Sequence, residues 1–165
     1  MSNSPRLQIY IADVTNDDWQ KLYQFLNKTE AYINLSINDR VMSVQDTKHI
    51  LDEAGHPLQL EITLGDINLQ TLISSPDAIR IRFNPDTLKS IAQRKVIMRL
   101  MSTLSRRLRK QALLTLADDD EIVLCKYSLD TGWLLNPSVD KLIGATSRLK
   151  WYLDDLKHHL KSMFK

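Results

Sequence analysis

The stretch "IRIRFNPDTLKSIAQRKVIMRLMSTLSRRLRKQALLTL", residues 79 to 116, carries both of the periodicities from which the fold can be read. Ile79, Ile81 and Phe83 alternate with Arg80 and Arg82, the period of a strand with one buried face. Asn84 is a good N-cap and Pro85 suits a first helical position, so a long helix is expected to open there and to end near Gln111. At about 100° per residue, Ile97, Leu100, Met101, Leu104 and Leu108 share one apolar arc. Lys95, Arg99, Arg106, Arg109 and Lys110 fall on the opposite side. "ALLTL" (112–116) then returns to strand.

Outward from this unit the same two patterns recur. "RLQIYIADV" alternates Leu7, Ile9 and Ile11 against Gln8 and Tyr10, and a helix follows, signed by Thr15 and Asp18 in a capping-box spacing and by Trp19, Leu22, Tyr23 and Leu26 on one face. "YINLSI" and "LQLEITL" read as further strands, with a short helix between them opened by Ser43 and stopped by Gly55. "GDINLQTLISSPD" suggests a helical turn after Asp66, ended before Pro76. Beyond "ALLTL", "EIVLCKY" and "GWLLN" read as strands separated by the turns "ADDD" and "SLDTG", the former strand apolar on both faces and so inside the sheet. From Ser138 onward Leu142, Leu149, Leu153, Leu156, Leu160 and Met163 recur at helical spacing. The expected fold is a single α+β domain over residues 1–165, with a mostly antiparallel sheet covered on one face by helices and a long C-terminal helix.

A chain of 165 residues with 43% hydrophobic and 25% charged content is large enough for one core and short for two domains. Its formal charge is only +2, but the distribution is uneven: residues 86 to 111 hold eight basic side chains against one acid. The single cysteine, Cys125, lies in an apolar run and cannot form an internal disulfide, which suits a reducing cytoplasm. No apolar run approaches the roughly 20 residues that span a bilayer, and "MSNSPRLQIYIAD" does not look like a secretion signal, so a soluble, unsecreted protein is expected.

Groups arranged for chemistry are not evident. His49, His56, His158 and His159 fit no metal-binding spacing, and adjacent His158 and His159 cannot share a helix face. Gly55, Gly65, Gly132 and Gly144 stand too far apart for a phosphate-cradling loop. The acid pairs Asp17 with Asp18, Asp52 with Glu53 and Asp154 with Asp155 sit beside apolar helical positions, where solvated acids are the ordinary case. No catalytic residue, metal or cofactor is therefore expected, and the chain reads as a binding protein.

The basic stretch then carries the functional question. A solvated helix face explains basic residues but not the lack of acids among them, since mixed signs gain i,i+4 pairs and avoid repulsion. A one-sign face suits an acidic partner, either a protein or, as the alternative, nucleic acid contacted through residues 94–110, although no helix-turn-helix or aromatic ladder accompanies it. The acidic run Asp118, Asp119, Asp120 and Glu121 is either a turn that pairs with the helix end or a contact of its own. Trp133 beside it is either an aromatic anchor or a core residue. A third class, a structural subunit whose last helix packs in an oligomer, is also open, and the chain is expected to be a monomer or a homodimer.

The layout resembles that of bacterial immunity proteins of contact-dependent and polymorphic toxin systems. The resemblance rests on "DDWQKLYQFL" in the first helix, on "AIRIRFNPDTL" leading into a long helix, and on "LLTLADDDEIVLCKY" and "GWLLNP" before a last helix. It implies a non-enzymatic inhibitor that binds a cognate toxin domain in the cytoplasm, with no catalytic residues to carry over. Inhibitors of nucleases tend to be acidic at the contact, so the basic helix implies either a toxin of another kind or a contact made by residues 118–121.

Overall fold

The computed structural model describes residues 6–29, 32–37, 40–42, 58–73, 77–138 and 150–163. Among these residues are nine strands, β1 (Leu7–Ile11), β2 (Tyr32–Ile37), β3 (Arg40–Met42), β4 (Leu58–Leu64), β5 (Ile67–Ile73), β6 (Ile79–Phe83), β7 (Ala112–Leu116), β8 (Asp119–Ser128) and β9 (Gly132–Leu135). They form one sheet in the order β3-β2-β4-β5-β6-β1-β7-β8-β9, and every neighbouring pair is antiparallel. The helices are α1 (Asn16–Lys28), α2 (Ile91–Leu108) and α3 (Lys150–Met163). This is an α+β domain, and none of its described helices is long and apolar enough to cross a membrane.

Alternation along β1 sets the two faces. Leu7, Ile9 and Ile11 are fully buried, with Ile9 standing between Ile81 of β6 and Leu114 of β7. They share one core with Trp19, Leu22 and Leu26 of α1, Leu100, Leu104 and Leu108 of α2, and Tyr152, Leu153 and Leu156 of α3. Gln8 faces the other way and is equally buried. Its amide donates to Thr115 Oγ1 at 3.1 Å and to Asp120 Oδ1, and Arg80 donates to the same carboxylate at 3.2 Å. A polar layer thus covers the centre of the sheet on the face that none of the described helices packs against, for short the helix-free face.

Three local expectations are corrected, and one further strand is found. The Asn84–Pro85 pair opens only the 3-10 turn Pro85–Thr87; α2 begins at Ile91, where Ser90 and Gln93 form a reciprocal capping box. It ends at Leu108 rather than Gln111, because Arg109 takes a left-handed conformation at φ 56°. The segment after Asp66 is strand β5, not a helical turn: Gly65 at φ 63° makes a two-residue hairpin that places Leu64 opposite Ile67. The short strand β3 was not expected at all. The Thr15–Asp18 capping box is formed, with Thr15 N donating to Asp18 Oδ2 at 2.9 Å and Asp18 N to Thr15 Oγ1 at 3.3 Å. The helix expected from Ser43 to Gly55 lies outside the described residues, as does the expected start of the last helix at Ser138, of which Lys150–Met163 is described.

Candidate functional site

The inner face of α2 is apolar and sealed: Ile97, Met98, Leu100, Met101, Leu104 and Leu108 are all buried. Its outer face carries Lys95, Arg99 and Arg106 within an arc of about 40° along roughly 17 Å of helix, and Arg109 continues the row at the cap. All four are exposed. None has an acidic partner among the described residues; of their side chains only that of Arg106 is engaged, donating back to Ser102 O at 3.2 Å and Ser102 Oγ at 3.4 Å and lying 6.0 Å from the Tyr127 ring centroid.

The cations on either flank of this row are engaged. Arg94 forms an ion pair with Asp155 of α3 at 2.7 Å, also donates to Leu88 O at 2.9 Å, and lies over the Trp151 ring. Arg107 lies over Phe25 of α1 at 5.1 Å from the ring centroid, and Lys110 reaches Asp18 of α1 at 3.6 Å. Lys110 is therefore drawn into the fold and leaves the outer row. Paired cations tie α2 to α1 and α3, and the row between them faces solvent without a counter-charge.

The acidic run stands elsewhere. Asp118 lies in the β7–β8 turn and Asp119, Asp120 and Glu121 begin β8. Asp120 is held by Gln8 and Arg80 on the helix-free face, so it pairs with β6 across the sheet and not with the end of α2. Asp119 Oδ1 accepts from the backbone N–H of Glu121 at 3.0 Å, which shapes the turn. Trp133 is 7% exposed and packs edge-on against Tyr127 with ring centroids 5.1 Å apart, which makes it a core residue and not an exposed anchor. The basic row and the acidic turn lie on opposite faces and do not form one patch.

Cys125 is buried, and desolvation pushes its thiol up to about 12, far from a nucleophile's range. Among the described residues no three His, Cys, Asp or Glu side chains stand together as a metal site would require. His158 is exposed, while His159 is buried with Nε2 at 3.4 Å from Asp155.

Sequence reading passed over one group of residues. Arg6, Asp66, Asn68, Gln70, Arg82 and Asn84 line a hollow of about 200 Å³ at the other end of the helix-free face. The alternation in "IRIRF" does put Arg80 and Arg82 on one side, but that side's content depends on β1 and β5 flanking β6, a pairing of segments far apart in the chain. No protein-family model, curated protein or solved structure matches this chain.

Proposed function

We propose that the protein is a non-enzymatic inhibitor that binds and blocks a toxin domain in the cytoplasm, as bacterial immunity proteins do, and that it contacts an acidic surface of that toxin through the outer row of α2. The observation that supports this most is the division among the cations of α2: Arg94, Arg107 and Lys110 have partners within the fold, whereas Lys95, Arg99 and Arg109 have none among the described residues. Lys95 and Arg99 stand four residues apart, where like charges on a helix destabilise it by about 0.2–0.5 kcal/mol. An acidic partner turns that repulsion into attraction, steers the encounter and fixes its orientation. The acidic turn is the weaker candidate because Asp120 is already engaged by Arg80.

The partner is sought in the coding context, where a large toxin gene directly upstream would supply it for growth rescue and co-purification. Arg99→Glu with Arg106→Glu is expected to abolish rescue by a protein that stays folded, and Asp119→Lys with Glu121→Lys to leave it intact. The opposite pattern would move the contact to the acidic turn. Tight binding of the parent to DNA or RNA at physiological salt, weakening linearly on a log–log plot against salt and lost in the Arg99/Arg106 variant, would replace this reading with a nucleic-acid one.

A further inference from the structure

Arg82 stands on the helix-free face of β6, opposite Gln70 of β5 on one side and Gln8 of β1 on the other. Two residues earlier Arg80 has Asp120 as its partner. The Arg82 side chain has no hydrogen bond or ion pair among the described residues, although it is half-buried and its Nε is fully shielded. Shielding that N–H from water without a partner disfavours the folded state, and Gln8 Oε1, on the residue opposite in β1, is likewise buried without a partner among the described residues. The two terminal NH2 groups stay open to a ligand, and the side chain borders two hollows: one of about 200 Å³ that Arg6 also lines, and one shared with Arg80 and the acidic run Asp118–Glu121, where Asp120 is already paired with Arg80.

The walls add donors. The backbone N–H of Asp86 donates to Asn84 at 3.0 Å, so Asn84 must turn its oxygen that way and keeps its NH2 group for other acceptors. The one acid in the lining, Asp66, already accepts from Gln93 Nε2 at 2.8 Å. Two guanidinium groups against one carboxylate leave the hollow net positive, while Asp66 repels a doubly charged anion more than a singly charged one. We infer that this hollow binds a small carboxylate, with Arg82 donating to both oxygens through its two terminal NH2 groups and Arg6 as a second positive charge. The site is separate from the α2 row and does not depend on the inhibitor reading.

The test follows the arginine Nε–Hε resonances of the full chain by NMR while acetate, L-glutamate, a capped glutamyl amide or inorganic phosphate is added at constant ionic strength. The Arg82 signal is expected to move saturably with the carboxylates and the Arg80 signal to stay. Arg6→Gln should weaken binding several-fold, and Arg82→Met should weaken it about tenfold or more, the loss of a charge-assisted pair. Because Arg82 has no partner to lose, Arg82→Met should melt no lower than the parent. Tighter binding of the capped amide than of free glutamate would assign the carboxylate to a peptide, and the reverse to a free small molecule; both agree with the inference. No saturable shift with any carboxylate, phosphate binding tighter than all of them, or an Arg82→Met protein that melts well below the parent would overturn it.

Discussion

Arg109 closes α2 in a backbone conformation that glycine adopts without strain and that side-chain-bearing residues avoid. Arg109→Gly is expected to stabilise the protein by about 1 kcal/mol in a urea titration, since a left-handed residue other than glycine is disfavoured by roughly that much. A loss of stability would show instead that the arginine side chain holds the helix end. The same variant removes one cation from the outer row, so it should be more stable and a poorer inhibitor at once. In the sequence this residue gave no warning: the usual glycine stop is missing, and Arg109 reads as one more helical position. The basic face was legible because it is local, whereas the partners that divide it are not. Asp155 and Asp18, which claim Arg94 and Lys110, lie far away in the chain.

Among the elements, α2 shows what periodicity can and cannot tell. Its buried face was legible from the 3.6-residue spacing, and Leu104 is wholly buried at its centre. Leu104→Ala should destabilise by about 2–5 kcal/mol, through lost burial and the cavity left behind. A loss under about 0.5 kcal/mol in denaturant would contradict that packing. The start of α2 was misplaced because two capping signals stand in series and the first, Asn84–Pro85, drives only a single 3-10 turn before Ser90 opens the helix. Strand β5 was missed for a related reason. Its apolar residues Ile67, Leu69, Leu72 and Ile73 fit both periods over so short a run, and the hairpin that decides between them hangs on Gly65.

At the level of the whole molecule, two protonated acids are enclosed in the core, Cys125 and Tyr152, and burial raises both above their ordinary values of 9.0 and 10.0. The unfolded chain gives up these protons first as pH climbs, so their contribution to stability is complete below about pH 9 and is lost progressively above it. The melting temperature should fall from about pH 9 upward; Cys125→Ala should blunt the early part of that fall and Tyr152→Phe the part above about pH 10. A melting temperature equally flat in all three proteins across this range would refute it. The α+β class was legible because it needs only the order and alternation of elements, while the hollow around Arg82 depends on which strands become neighbours. Foremost among those pairings is the one made by β1. Leu7 lies opposite both Phe83 and Leu116, so the strand synthesised first joins two halves of the sheet that come much later. Each half can zip from short hairpins, β4 with β5 on one side and β7 through β9 on the other, but their union waits for the chain to close over a long separation. Until β6, about 70 residues further along, has been made, β1 has neither of its two neighbours to pair with, and its capture between β6 and β7 is the step expected to pace refolding.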